Sequence, residues 1–266
     1  MTTDASPQID TDKLMAFVFR AVDEVGASLN CALVCMGDRL GYYCDLATHG
    51  PTTPEELADR TETSLPYARE WLNAQAAGEF VEYDASSGRY LLPPEHAVAL
   101  TDESSPAYLP GFFQIALGTI HDADRVIAAA RAATGVGWHE HNVDVHEGCE
   151  RFFRPGYAAN LVAGWLPALD DVVGKLEAGA SVADIGCGHG SSTVLMAEAF
   201  PRSSFVGSDY HAQSVATAQE RAAAAGVGDR VRFEVAAATE IGGDGYDLVT
   251  MFDCLHDMGD PVGAAR

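Results

Sequence analysis

The chain is poor in positive charge. Its 266 residues carry 16 lysines and arginines against 39 aspartates and glutamates, a formal net charge of −23. Such an excess of acid repels phosphate backbones and anionic lipid surfaces, which argues against nucleic acid or a membrane as the main partner. No run of residues has the apolar length needed to span a bilayer, and the opening MTTDASPQID has neither the basic start nor the apolar stretch of a secretory leader. A soluble cytoplasmic protein is the expectation. Cysteine is sparse as well, with six residues and no CxxC pair. That excludes a dense disulfide framework and the paired spacing of a zinc site, and leaves buried free thiols such as Cys31 and Cys35, one helical turn apart. What is plentiful is apolar material, 47% of the chain, enough for the cores of two ordinary domains.

From Asp12 to Met36, Leu14, Phe17, Val18, Ala21, Val22, Val25, Leu29, Ala32, Leu33 and Met36 recur at helical spacing, which predicts helices facing a core or a partner. Thr53, Pro54 and Glu56 form a capping box with proline at the first helical position. Ser64 opens a further helix with Leu65, Ala68, Trp71 and Leu72 on its apolar stripe and Gly78 as its stop. Phe80, Val81 and Tyr83, then Tyr90, Leu91 and Leu92, predict two short strands around a turn at residues 84–88. Helix, turn, helix and hairpin in that order make a winged helix. Winged helices suggest DNA, but the second helix offers one arginine, Arg69, beside Glu70, whereas groove reading needs several basic or amide side chains on one face. A packing or dimerisation module fits this composition better.

Residues 106–134 are again helical in pattern, and GWHEHNVDVHEGCERFFRPGY then reads as a connector. His139, His141 and His146, with Glu140, Asp144 and Glu147, raise the question of a metal. The spacing is not HExxH and no helical register gathers the three histidines, so solvated loop residues or a pocket lid are the expectation, with no metal.

After Gly156 the rhythm alternates. A helix is expected over residues 157–176, then the strand SVADI, a glycine loop, a helix from Ser191 to about Phe200, the strand SFVGSD, a helix from about Gln213 to Ala225, and the strands VRFEV and YDLVTMF. Alternating apolar strands and helices make a parallel sheet, whose ligands sit at the carboxyl ends of the strands. Gly186, Gly188 and Gly190 give DxGxGxG after Asp184, whereas the dinucleotide fingerprint GxGxxG needs glycine at 191, where Ser191 stands. No GxxxxGK[ST] lysine is present to hold a triphosphate. A ligand without phosphates, lying close over the turn, suits this loop better than NAD or ATP. Asp209 ends the second strand 25 positions after Asp184, where an acid accepts from ribose hydroxyls, so an adenosine-containing ligand is favoured.

VADIGCGHG, Asp209 and YDLVTMF together resemble the class I S-adenosylmethionine-dependent methyltransferases. The resemblance implies a Rossmann-like domain with S-adenosylmethionine as cofactor, bound by Asp184, Gly186, Cys187, Gly188, Asp209, Tyr210, Ala236, Ala237 and Asp253. Within that set the loop glycines would contact the methionine part, Asp209 the ribose, and Tyr210 the adenine. Family members often carry an acid after the third strand, where this chain has Ala236, Ala237 and Ala238; backbone contact to the adenine is the fallback. Over nearly its full length the chain looks like small-molecule methyltransferases that put a winged-helix dimerisation domain first, as in plant-type and polyketide O-methyltransferases. That resemblance implies a mainly helical winged-helix domain at residues 1–150, serving as dimerisation module and substrate lid, and a cofactor domain at residues 151–266, with a homodimer formed through the N-terminal helices.

Methyl transfer from a sulfonium is an in-line displacement, so the protein chiefly aligns the reactants and excludes water. A hydroxyl acceptor gains from a base, and FDCLHDMGD resembles the HDWxD segment of plant-type O-methyltransferases, with Met258 in place of tryptophan. His256 is thereby the candidate general base. The alternative is that Asp257 or Asp260 caps the next helix and His256 merely lines the loop. The expected function is methyl transfer to a small-molecule acceptor, through a hydroxyl. The competing reading is a catalytically inactive winged-helix regulatory or binding protein that keeps the cofactor fold; a dehydrogenase is opposed by Ser191. The sequence ends at Arg266 just as a helix opens, so the catalytic domain is expected to be incomplete, a fragment of a longer enzyme.

Overall fold

The computed structural model describes residues 9–243 and 245–266; the polar stretch at 1–8 lies outside them. The chain divides into two compact units, one up to Ala97 and one from Val98 onward. The first holds α1 (Thr11–Arg39), α2 (Tyr42–His49), α3 (Pro54–Arg60), α4 (Leu65–Ala77), the hairpin β1 (Glu82–Asp84) and β2 (Arg89–Leu91), and the start of α5 (Pro94–Thr101). The capping box at Thr53 forms as expected, with Glu56 N donating to Thr53 Oγ1 at 3.3 Å and Thr53 N to Glu56 Oε2 at 3.0 Å. Ser64 stands at the N-cap of α4 without a side-chain hydrogen bond there.

Trp71 anchors this unit. It is 1% exposed, lies edge-on to Tyr42 and Tyr43 with ring centroids 4.9 and 5.0 Å away, and donates through Nε1 to the Leu33 carbonyl at 2.8 Å. Aromatic rings meet edge to face because their positive rims seek negative faces. The single arginine of α4, Arg69, is paired with Glu55 at 2.8 Å, so α4 offers a phosphate no free guanidinium. On α1, Leu14, Phe17, Val18, Val22, Val25 and Leu29 remain exposed. The apolar pattern that marks this helix in the sequence is therefore not spent on the core.

The second unit holds α6 (Pro110–His121), α7 (Ala123–Ala132), α8 (Val143–Asn160) and α9 (Val172–Ala178), then β3 (Ser181–Ile185), α10 (Ser191–Ala199), β4 (Ser204–Asp209), α11 (Ala212–Ala224), β5 (Val231–Val235), β6 (Leu248–Thr250) and α12 (Pro261–Ala264). The four strands are parallel in the order β5-β4-β3-β6. Val182, Phe205, Val231 and Phe233 pack under Met196, Ala197, Val215 and Ala218 of the crossover helices, with Leu161, Leu166 and Leu176 completing the core. Strand order reverses at β3, which puts its carboxyl end at the crevice where such sheets bind ligands.

Two expectations fail here. The supposed connector is largely α8, an 18-residue helix that runs through Pro155, and the expected helix over 157–176 is instead the end of α8, a π-turn (Leu161–Trp165), a 3₁₀ turn (Leu166–Ala168) and α9. Arg-Pro-Gly reads locally as a breaker, but tertiary packing overrides it. A Cβ on Gly148 would lie 2.7 Å from the Gly111 carbonyl, and one on Gly111 would lie 2.6 Å from the Phe152 amide, so α6 and α8 meet backbone to backbone. The expected domain boundary at 150 accordingly falls inside α8, whereas the compact units part at 97. Among the described residues no helix is long and apolar enough to cross a membrane.

Candidate cofactor and acceptor site

The site is built on the carboxyl ends of β3, β4 and β6. Asp184, one residue before the end of β3, is 1% exposed. Its Oδ2 accepts from Ser192 Oγ and Thr193 Oγ1, both at 2.6 Å, and its Oδ1 from Thr250 Oγ1 at 2.7 Å. Burial holds its carboxyl above the usual range despite the three hydroxyl donors that favour the charge. Asp184 thus ties the first turn of α10 and strand β6 to β3, beneath the loop rather than in it.

Gly186 and Gly188 take the left-handed backbone, with φ of +66° and +52°. A Cβ at Gly186 would lie 2.7 Å from Cys254 Sγ, whereas one at Gly188 would meet nothing within 4 Å. Space is therefore open over Gly188, and the turn can be approached closely there. Cys187 is buried, its thiol pushed up by burial, and its amide donates to the Ser208 carbonyl at 3.0 Å. Asp209 ends β4. Its Oδ2 accepts from the Gly188 amide at 3.0 Å and its Oδ1 from the His211 amide at 2.8 Å, so the acid lies directly beside the glycine loop. Tyr210 is 45% exposed and edge-on to His139, with ring centroids 5.5 Å apart. Ala236 donates through its amide to the Asp209 carbonyl at 3.1 Å, which brings it and Ala237 to the same rim.

After β6 the chain turns sharply at Asp253, with φ of +51°, into the 3₁₀ turn Leu255–Asp257. His256 is 64% exposed; its Nε2 is 3.3 Å from Asp257 Oδ1 and its Nδ1 3.8 Å from Asp253 Oδ1. The side chain of Asp260 does cap α12, accepting from the Gly263 amide at 2.8 Å. Burial pushes the Cys254 thiol up to about 12 and the Cys149 thiol up to about 11, with nearby carboxylates adding to both, so neither is a thiolate near neutrality.

Opposite, an aromatic file runs along α8 toward β6. Phe112 stacks on Phe152 at 5.0 Å, Phe152 meets Phe153 at 5.1 Å, Phe153 stacks on Tyr157 at 6.1 Å, and Tyr157 lies 5.5 Å from Phe252. Phe252 precedes Asp253. Glu150 pins α8 to this region. Its Oε1 accepts from Arg221 Nη1 at 2.5 Å and from Ser191 Oγ at 2.7 Å, and Arg221 also donates to Ser191 at 2.9 Å. Ser191, which fills the position where the dinucleotide fingerprint needs glycine, thus joins α8, α10 and α11. The sequence did not reveal Thr250, Glu150 or Arg221, whose partners come from distant segments; the hydroxyl run Ser191 to Thr193 at a helix start was the one local signal available.

Among the described residues no group of three or more His, Cys, Asp or Glu side chains is arranged to hold a metal. The open face over Gly188, the fixed Asp209 carboxylate beside it, the half-exposed Tyr210 ring and the absence of a phosphate-binding lysine fit a ligand that joins an amino acid to an adenosine.

Comparison with known proteins agrees with this geometry. Residues 183–266 match the model of a methyltransferase domain, and residues 28–102 match that of an Rv2258c-like winged HTH domain. The chain therefore carries a winged-helix domain followed by a methyltransferase domain with a Rossmann-like parallel sheet. Its fold is shared with the mitomycin 7-O-methyltransferase MmcR, which is 20% identical with a TM-score of 0.69 over 96% of this chain and 76% of that one. CalO1, a methyltransferase of calicheamicin biosynthesis solved with SAH, is 21% identical at 0.62, over 95% and 74%. NcsB1, an O-methyltransferase of neocarzinostatin biosynthesis solved with S-adenosyl-L-homocysteine and 1,4-dihydroxy-2-naphthoic acid, is 18% identical at 0.64, over 92% and 75%. No curated protein matches the chain.

Proposed function

We propose that this protein transfers the methyl group of S-adenosylmethionine to a hydroxyl of a small, flat, apolar acceptor, and that it works as a homodimer joined through α1. The observation that carries the reading is Asp209, held by the Gly188 and His211 amides at the mouth of the glycine loop. A carboxylate there, with lone pairs left on both oxygens, accepts from the two ribose hydroxyls. The backbone at Gly186, Cys187 and Gly188 holds the amino-acid end, Asp184 supports the loop from below, Tyr210 lies along the adenine, and the backbone at Ala236 and Ala237 closes the far rim. Asp253 turns the chain into the segment that carries His256.

When bound, the cofactor supplies an electrophilic methyl group on a sulfonium. The work left to the chain is alignment and one proton. The aromatic file from Phe112 to Phe252 gives a flat acceptor an apolar surface leading to Asp253. The chain's own part is to hold the acceptor hydroxyl against that surface and to take its proton at His256. Of its ring nitrogens, Nδ1 lies farther from a carboxylate and is the one left to take that proton. The exposed stripe of α1, Phe17, Val22, Val25 and Leu29, supplies a face of the kind that a second copy buries.

Calorimetry with S-adenosylmethionine, S-adenosylhomocysteine and NAD tests the cofactor reading. The first two bind and NAD does not, and Asp209→Ala weakens binding about a hundredfold, the scale of one or two hydrogen bonds to a charged group. Equal affinity in the Asp209→Ala variant would refute the assignment.

A further inference from the structure

Residues 138–146 form a short cap over the turn that carries Asp209, and methyl transfer makes no use of the histidines that fasten it. His146, in the first turn of α8, is buried, and its ring centroid is 4.6 Å from that of His211, with the planes 45° apart. His146 Nε2 is 2.8 Å from the Trp138 carbonyl, which only accepts, so Nε2 carries the hydrogen. The Trp138 ring packs on the same imidazole at 5.1 Å. His211 stands at the N-cap of α11, where the helix dipole disfavours a cation, and its Nδ1 is 2.8 Å from Ser214 Oγ. Next to it Tyr210 meets His139 edge to face. Both residues that follow Asp209 are thus held by rings of the cap.

We propose that His146 is a positioning residue whose ring, packed on His211, holds the cap against the Asp209 turn, and that protonation of His211 releases the cap and weakens nucleoside binding below neutral pH. The proposal rests on the reading of that turn as the nucleoside site.

The surroundings of His211 favour its neutral ring. Burial lowers the His211 pKa, His146 and His139 lower it further, and Asp209 alone opposes them. His189, at the loop side of the cap, is lowered by burial and then by Arg221 and His146, against Glu150 and Glu147. His141 stands apart: its Nδ1 is 2.9 Å from Asp122 Oδ2, a partner outside the pair. Where a histidine is lowered in the closed cap, the closed state binds fewer protons than the released one. Closure is then complete above the ordinary histidine pKa of about 6.5 and is lost as pH falls through and below it, by up to about tenfold per pH unit.

The test is the dissociation constant of S-adenosylhomocysteine at pH 7.5, 6.5 and 5.5. The wild-type protein should bind about tenfold more weakly at the lowest pH than at the highest. His211→Phe keeps a ring in the contact and cannot charge, and should hold its affinity within about threefold across the range; His146→Phe keeps a ring against His211 and should keep both the wild-type affinity at pH 7.5 and the wild-type fall. Heats of binding at pH 6 in two buffers of different ionisation enthalpy need no variant and should report release of about one proton. A pH-independent wild-type constant, the wild-type fall persisting in His211→Phe, or no proton release would each overturn the proposal. Failure of the folded wild-type protein to bind at pH 7.5 would overturn the nucleoside-site reading itself, and this proposal with it.

Discussion

Replacing Asp184 with alanine tests whether this carboxylate is a strut of the site rather than a ligand group. Three hydroxyls, from Ser192, Thr193 and Thr250, donate to it in an interior from which water is excluded. An orphaned buried hydroxyl costs about 1–3 kcal/mol. Thr250 Oγ1 already lies 3.4 Å from the Ala183 carbonyl and can turn to it, and removal also relieves the cost of burying a charge, so the lower end applies. The sum is about 3 kcal/mol, a large part of the ~5–15 kcal/mol that holds a domain together. Because the chain has two units, a global melting curve mixes their unfolding. Native-state hydrogen exchange at the β3 and β4 amides reads the sheet alone. Those amides should lose about 3 kcal/mol of protection in Asp184→Ala and about half as much in Asp184→Asn, which still accepts from Thr250. Combining Asp184→Ala with Ser192→Ala removes one of the orphans and should recover about 1 kcal/mol of coupling. A loss below about 1 kcal/mol in the alanine variant would refute the strut.

Two further outcomes test the proposed chemistry and assembly. His256→Ala should lower turnover on the true acceptor about 10²–10⁴-fold while leaving the affinity for S-adenosylhomocysteine unchanged, and unaltered turnover would leave alignment as the whole of catalysis. Phe17→Asp with Val22→Asp should convert a dimer into a monomer in analytical ultracentrifugation without loss of helicity, and a dimer that survives both substitutions would remove α1 from the interface.

The catalytic half was legible because its signals are local. SVADI and SFVGSD each span a whole strand, DxGxGxG encodes positive φ in its own residues, and Asp209 ends its strand at the rim where ligands bind. What escaped was long-range. Pro155 and Gly156 look like a stop, yet α8 continues because Gly111 and Gly148 let two helices touch, a fact shared between positions 37 residues apart. The hydroxyl partners of Asp184 and the clamp of Glu150, Ser191 and Arg221 likewise join segments that no window of sequence spans. His139 and His146 were noticed as a group, but their contacts with Tyr210 and His211 appear only once β4 and α8 are brought together.

The contact between Gly111 and Gly148 also bears on how such a pocket can change. Where two helices touch through hydrogens alone, sliding either by one residue would drive a side chain into a backbone. The offset between Phe112 and Phe152 is therefore locked. If the aromatic file is the acceptor surface proposed above, a change of acceptor calls for exchanging rings along it rather than shifting the helices that carry them.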